Sequence, residues 1–190
     1  MPETLDAAVH GTPGALAEGY VQLTSSAELR DLLGEPHPVV IDKVHPELTD
    51  DDLGILARSS FCLLATSDRR GACDVSPRGG QPGFTHVLGP RTLALPDRPG
   101  NRRGDSFHNI LENPQAGLLY LVPGGKEVLR VNGHARILTD APFFDDMTTE
   151  GRRPALAVLL EIDEIYLHCP QSLRRSGVWD PTTWHVPAAG

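Results

Sequence analysis

The sequence predicts a mainly β protein of the α+β class, an antiparallel barrel with short helices at its ends. Six or more short apolar or alternating segments follow one another in hairpin-like pairs, and no regular strand–helix alternation is present, which disfavours a parallel sheet. The chain has 190 residues with 17 Pro and 19 Gly, so turns are frequent and helices are expected to be short. This length favours one domain with a sizeable core.

The charge and the cysteine content exclude several classes of protein. A formal net charge of −8 argues against general nucleic-acid binding, which needs a basic surface. The three cysteines form no CxxC pair, which indicates a reducing compartment and no metal site. The N-terminus lacks a basic region followed by an apolar run, and no apolar run approaches the ~20 residues of a membrane span. A cytoplasmic location is therefore expected.

Helix signals are concentrated in the first third of the chain. Residues 1–20 show little periodicity and are predicted to form a flexible arm. Residues 25–34 predict a short helix, because Ser25 or Ser26 can cap its start and Gly34 can end it. The segment PVVID, at 38–42, is predicted to be extended.

A second helix is predicted in PELTDDDLGILARSS, at 46–60. Thr49 is its expected N-cap, and the aspartates at 50–52 suit the positive end of the helix dipole, which leaves them no catalytic role. Leu53, Leu56 and Ala57 have the spacing of an inward-facing apolar side.

From Phe61 the pattern changes to that of strands. FCLLAT and CDVSP, joined by a turn at Gly71, predict a β-hairpin, and two further strands surround the turn at Gly89. The second half of the chain adds AGLLYLVPG, then a strand pair or one bent strand with a bend at Gly133, and then a long strand kinked near Asp163. APFFDDM and QSLRRS predict short helices.

The stretch from Leu95 to Pro114, LPDRPGNRRGDSFHNILENP, combines the parts of an anion site. A strand end leads into a loop with three arginines, and a helix begins after it, with Phe107, Ile110 and Leu111 on its apolar side. Backbone N–H groups at a helix start favour anions, and arginine fits phosphate oxygens. The loop arginines are Arg98, Arg102 and Arg103.

Common nucleotide and hydrolase signatures are absent, including G-x-G-x-x-G, the P-loop, G-x-S-x-G and H-E-x-x-H. What is present, DVSPRG, LALPDRPGNRRGDSFHNILENP and LRVNGHARI, resembles the FMN-binding split-barrel proteins related to pyridoxamine 5′-phosphate oxidase, in particular their predicted flavin-nucleotide-binding branch. The resemblance covers roughly residues 25–182. It implies an FMN-binding split-barrel domain at 21–182, and the expected remainder is a flexible arm at 1–20, outside the resemblance, and a C-terminal tail at 183–190.

The resemblance implies a six-stranded split barrel that dimerises, with two FMN molecules in clefts between the subunits. The residues it implies for cofactor binding form three groups. These are Ser76, Pro77 and Arg78 at the ring; Leu95, Pro96, Asp97, Asn101, Arg102, Arg103 and Ser106 along the strand end and the phosphate loop; and Arg174, Arg175 and Trp179 from the tail. The oxidases have a lysine in this loop, and its position here depends on the direction of counting. Counting back from Pro114 places Ser106 there, whereas counting forward from Leu95 places Arg102 there.

The expected function is that of an FMN-dependent oxidoreductase whose substrate is undefined and whose electron donor is of the NAD(P)H type. No side chain stands out as an acid–base catalyst, and the residues that bind pyridoxal phosphate in the oxidases are not recognisable. Three alternatives stay open: a flavin carrier without turnover, a reductase that uses the deazaflavin F420, and a haem-handling module, for which no axial ligand is evident.

Overall fold

The computed structural model describes residues 18–184, and the chain divides into two compact units, Met1–His37 and Pro38–Gly190. The first unit contains α1 (Ser26–Leu33), which confirms the first predicted helix. The Ser25 hydroxyl accepts a hydrogen bond from the Glu28 amide at 3.2 Å, and Gly34 ends the helix with a φ of 73°. The predictions for residues 1–17 and 185–190 lie outside the described residues.

The helices of the second unit are short. Residues 38–42 were predicted to be extended, and this is wrong, because Pro38–Ile41 forms one helical turn in which the Asp42 amide donates to the Pro38 carbonyl at 2.9 Å. Proline suits the first position of a helix, where its φ is already helical and no N–H is needed. The helices are α2 (Pro38–Ile41), α3 (Asp50–Arg58), α4 (Asp105–Glu112) and α5 (Gln171–Ser176), with 3₁₀ turns at Pro142–Phe144 and Pro181–Thr183.

Seven strands of the second unit form one antiparallel sheet in the order β2-β1-β5-β6-β7-β4-β3. They are β1 (Phe61–Ser67), β2 (Cys73–Gly79), β3 (His86–Gly89), β4 (Thr92–Pro96), β5 (Gln115–Leu121), β6 (Val128–Leu138) and β7 (Ala157–His168). The predicted antiparallel split barrel is confirmed, and the short edge strand β3 brings the number of strands to seven.

The longest ladder, β6–β7, bends at Gly133 as predicted. Asn132 pairs with Glu164 and Gly133 pairs with Ile162, so Asp163 is the extra residue of a bulge in β7, and β6 is one continuous strand. A Cβ on Gly133 would lie 2.0 Å from the Glu161 carbonyl oxygen, which explains why this position has no side chain. On the edge away from β6, residues 157–161 of β7 pair with β4. On the edge away from β7, residues 128–134 of β6 pair with β5.

The core lies between the inner face of the sheet and the helices α3 and α4. Tyr120 is fully buried at its centre and shares a 3.0 Å hydrogen bond with Thr85. Two predicted helix faces need correction, because only Ile110 of α4 and Ile55 with Leu56 of α3 are buried hydrophobics. The residues that proved exposed are Leu53, Ala57 and Leu111. Each of these residues lies at the edge of the apolar side of its helix. Only the narrow central part of that side contacts the core.

Asp52 does more than complement the dipole of α3. Its carboxylate is buried, caps the Thr49 amide at 2.9 Å and lies 2.8 Å from Nε2 of His45. The other ring nitrogen of His45 lies 2.9 Å from the Lys43 carbonyl. Because both partners are acceptors, both ring nitrogens must carry protons, and the geometry selects the imidazolium form.

The protein is expected to lose stability as pH rises through the pKa of His45. Partial burial opposes protonation, but the hydrogen bonds to Asp52 and Lys43 and the Asp52 charge raise the pKa above its usual 6.5. A raised pKa means that the stabilisation is complete below the unfolded-state value and disappears above the folded-state value. Urea unfolding between pH 5.5 and 9 measures this, and the His45→Gln variant should lack that step; an identical pH profile in the variant would contradict the assignment.

Candidate functional site

Strand β2 has two different faces. Asp74, Ser76 and Arg78 are half-buried on the side that contacts α4, whereas Pro77 is exposed on the other side. Side chains alternate along a strand, so residues two apart share a face. The structure therefore brings Ser76 and Arg78 together, as predicted, and does not bring the Pro77 side chain to them.

A chain of hydrogen bonds links β2 to the first turn of α4. The Ser106 hydroxyl, which is buried, lies 2.8 Å from the Asp74 carboxylate and donates to it, because a carboxylate oxygen accepts. Ser76 lies 2.8 Å from the same hydroxyl and is then the donor. Asp74 was not predicted as a site residue, although its alternation with Ser76 and Arg78 was a usable signal.

Arg78 is the central cation of this face. Its Nη1 donates to Asp97 at 3.2 Å, and its guanidinium carbon lies 5.1 Å from the centroid of the Phe107 ring. Its Nε is buried and has no hydrogen-bond partner among residues 18–184. A buried donor without an acceptor is costly, so this atom marks a place where a ligand oxygen or nitrogen would be stabilised.

Two titratable groups around Arg78 are shifted by burial. Burial raises the pKa of the Asp97 carboxyl, and the nearby Arg78 charge opposes the shift. Burial also raises the pKa of the Cys62 thiol to about 12, again against the influence of Arg78. Cys62 is thus a neutral core thiol and not a nucleophile, as expected from its position in an apolar run.

The loop between β4 and α4 is anchored at its start. The Asp97 amide donates to the Leu156 carbonyl at 2.8 Å. Arg98 donates to the Met147 carbonyl at 3.0 Å and to the Thr149 hydroxyl at 2.9 Å. Arg98 therefore holds the loop to the segment before β7 through its Nη2 atom, which gives this arginine a structural role.

The tip of the loop carries the other two arginines, which are exposed. Asn101 accepts from the Arg103 amide at 3.0 Å, and Arg103 donates to Asp105 at 2.8 Å. Within residues 18–184 the Arg102 guanidinium has no hydrogen bond or ion pair, and its backbone has a left-handed φ of 64°. Asn101 thus shapes the loop, Arg103 is already paired, and Arg102 is the arginine open to a ligand.

Leu95 and Pro96 lie under the loop. Both are buried, and Leu95 belongs to the hydrophobic core with 2% exposure. They pair with Val158 and Ala157 of β7, and this pairing fixes the position along the sheet at which the loop begins. Their predicted contact with a cofactor stays a prediction.

The predicted residues of the tail lie at the opposite end of the β6–β7 ladder. Arg174 and Trp179 line a pocket of about 320 Å³ beside the β5–β6 turn at 124–126, whereas Arg175 does not line it. The pairs Val128–His168 and Leu138–Ala157 mark the two ends of the ladder. Since Leu138–Ala157 is the end next to Pro96, one chain does not bring its tail to its own loop. The indole Nε1 of Trp179 is buried without a partner among the described residues.

The site can bind an anion and a flat, polar-edged ring. Helix N–H groups and Arg102 suit the anion, and the Arg78–Phe107 surface suits the ring. Among the described residues no group of three His, Cys, Asp or Glu side chains could hold a metal, and no helix there is long and apolar enough to cross a membrane. These features define a split-barrel protein whose candidate site lies at the start of α4.

Comparison with known families identifies the class. The family model described as "Pyridoxamine 5′-phosphate oxidase" matches residues 48–169. The chain therefore belongs to the pyridoxamine 5′-phosphate oxidase family, as the motifs around the arginine loop indicated. No curated protein gives a significant match.

Of three similar solved structures, the two with TM-scores of at least 0.50 support the same fold. A protein from Lactobacillus delbrueckii assigned as a pyridoxamine 5′-phosphate oxidase is 22% identical with a TM-score of 0.51, over 64% of this chain and 95% of that chain. HupZ from Group A Streptococcus is 15% identical with a TM-score of 0.50, over 63% and 94%. An FMN-binding protein from Syntrophomonas wolfei is 17% identical with a TM-score of 0.46, over 62% and 88%.

Proposed function

We propose that this protein binds FMN at the start of α4 and uses it as an oxidoreductase. The observation that carries the proposal is Arg78, whose buried Nε lacks an acceptor among the described residues while its guanidinium is held by Asp97 and Phe107. A flavin pyrimidine edge supplies acceptors for such a donor. Membership of a family with flavin-binding relatives supports the same choice.

The chain's residues fit the parts of FMN. Arg102 and the first amides of α4 suit the phosphate, and Arg78 suits the pyrimidine edge of the ring. The flavin would supply hydride or electron transfer, and the protein would position it and shape the substrate cleft. Asp97 holds the Arg78 guanidinium in place, so it acts as a positioning residue.

The separation of the tail from the loop supports a homodimer. Trp179 of the partner subunit and Arg174 of the partner subunit would reach the flavin from the other side of an interface, because their own loop lies at the far end of β6–β7. The outer face of the sheet offers an apolar surface for such contact, with Val75 58% exposed next to exposed Pro77 and Ala65. Light scattering of the holoprotein should give twice the mass of one chain. A mass equal to that of one chain would contradict the proposed dimer.

Identification of the cofactor tests the proposal. The purified protein is denatured, and the released cofactor is identified by mass and by its visible spectrum, which has two bands for FMN and one for F420. Anaerobic mixing of the FMN-loaded protein with NADPH or NADH then distinguishes an oxidoreductase from a carrier. Rapid bleaching of the flavin is the expected result. Absence of any flavin after reconstitution would overturn the proposal, and a flavin that no donor reduces would favour the carrier.

Replacing Arg102 with glycine should weaken FMN binding about tenfold while raising the free energy of unfolding of the apoprotein by up to about 1 kcal/mol. The variant loses a phosphate ligand, and it also relieves a left-handed φ of 64° that suits glycine. Flavin fluorescence titration and urea unfolding measure the two effects. Glu150→Gly is the matched control, since Glu150 has a φ of 52° and lies outside the predicted site. It should gain stability without losing FMN affinity, and undiminished affinity in Arg102→Gly would contradict the role of Arg102.

A further inference from the structure

The hydroxyl groups at the start of α4 direct their protons toward a carboxylate of the same chain. Ser106 donates to Asp74 at 2.8 Å, and Ser76 donates to Ser106 at 2.8 Å. Each hydroxyl has a single proton to donate. Neither serine can therefore donate to a phosphate unless a hydrogen bond of this chain breaks first.

Asp74 also lies close to the place where the phosphate would bind. An anion hydrogen-bonded to the Ser106 hydroxyl would lie within about 5.6 Å of the Asp74 carboxylate, the length of two successive hydrogen bonds. Two negative charges at that separation repel enough to weaken binding by on the order of 100-fold before screening by solvent. The half-buried position of Asp74 reduces that screening.

The guanidinium of Arg103, on which the Asp74 charge acts, is already paired with another carboxylate. Arg103 donates to Asp105 at 2.8 Å, and its pKa is raised mainly by that hydrogen bond and, to a smaller extent, by the charge of Asp74. Two carboxylates thus act on one guanidinium. The loop consequently offers a phosphate less net positive charge than its three arginines suggest.

We propose, resting on the proposed function, that Asp74 is a specificity-determining residue that competes with the flavin phosphate for the Ser106 and Ser76 hydroxyls. The ring and the ribityl chain then supply most of the affinity, and the ribityl hydroxyls are suitable donors to a carboxylate. The attraction of the phosphate to Arg102 and its repulsion by Asp74 then largely offset each other, so riboflavin and FMN bind with similar strength. The flavin is accordingly exchangeable and not a tightly held prosthetic group.

Flavin titrations of the full-length protein test this assignment. The dissociation constants for FMN and for riboflavin are measured by flavin fluorescence in the wild type, in Asp74→Asn and in Asp42→Asn. In the wild type the two constants should agree within about tenfold. Asp74→Asn should bind FMN about tenfold or more tightly, since the amide oxygen still accepts from Ser106 while the repulsion disappears. Riboflavin affinity should change less than about twofold.

Asp42→Asn is the control for net charge, because Asp42 is exposed and lies outside the site. Neither of its flavin constants should change. The inference is overturned if Asp74→Asn binds FMN no more tightly than the wild type does. If that variant fails to fold, a wild-type preference for FMN over riboflavin of about 100-fold or more overturns it instead. Absence of binding by both flavins to every form would remove the flavin function itself, and this inference with it.

Discussion

Replacing Arg78 with alanine is expected to lower the reduction potential of bound flavin by about 30–60 mV and to weaken flavin binding roughly tenfold. Arg78 places a positive charge beside the Phe107 ring, and a reduced flavin carries more negative charge than an oxidised one. Removal of that charge therefore destabilises the reduced form selectively. The same change leaves the half-buried Asp97 without its partner, which should lower the free energy of unfolding by about 1–2 kcal/mol.

Spectroscopic titration against a reference dye measures the potential, and urea unfolding measures the stability. Arg78→Lys keeps the positive charge, so the reduction potential of the bound flavin should stay close to the wild-type value. The variant still loses the contacts that the planar guanidinium makes. Arg58→Ala is the matched control, since Arg58 is exposed on α3 and its ion pair with Glu127, at 3.9 Å, lies outside the predicted site. If Arg78→Ala does not fold, Arg78→Ala combined with Asp97→Asn removes the unpaired carboxylate. An unchanged potential in either form would exclude this role for Arg78.

Replacing Gly133 with alanine should lower the free energy of unfolding by at least about 3 kcal/mol. The new Cβ would lie 2.0 Å from the Glu161 oxygen and 3.1 Å from the Ile162 Cα, and both are backbone atoms. Backbone cannot move aside as a flexible side chain can, so the β6–β7 ladder has to open at its bulge. Because β7 carries β4 and hence Pro96, the start of the arginine loop should shift with it.

Gly89→Ala is the control for this change. A Cβ at Gly89 would meet nothing within 4 Å, so its stability should stay within about 1 kcal/mol of the wild type. Urea unfolding of the two variants gives the comparison of stability. The hydrogen-exchange rate of the Asp97 amide shows whether the start of the arginine loop has shifted. A Gly133→Ala protein as stable as Gly89→Ala would show that the bulge tolerates a side chain, contrary to its geometry.

The extent to which the site could be predicted differs from residue to residue. Ser76, Arg78 and Ser106 were predicted from motifs, because a strand face and a helix start are local features, and the packing of β2 against α4 brings them to one side. Arg98 was grouped with the loop arginines, but it bonds to Met147 and Thr149. Its partners lie about fifty residues along the chain, and nothing in the local pattern points to them.

Other differences arise where packing overrides local preference. The PVVID segment has β-branched residues typical of strands, yet it forms a helical turn that begins at Pro38, whose fixed φ fits a helix start. Leu111 has the spacing of a core residue but is 75% exposed, since α4 packs against the sheet along a narrow stripe. Helical spacing indicates a side of the helix, and the width of the contact depends on the partner surface.

By itself, the sequence determined the antiparallel strand pattern, the bend at Gly133, the caps of α1 and α3 and the family to which the chain belongs. These follow from alternation, turn residues and motifs, which act within a few residues. Only the tertiary structure decided that Asp74 takes the protons of Ser106 and Ser76, that Arg102 is the open arginine, and that the tail lies away from the loop. Those features depend on contacts between distant segments, and the identity of a hydrogen-bond partner across a fold is set by which elements meet in space.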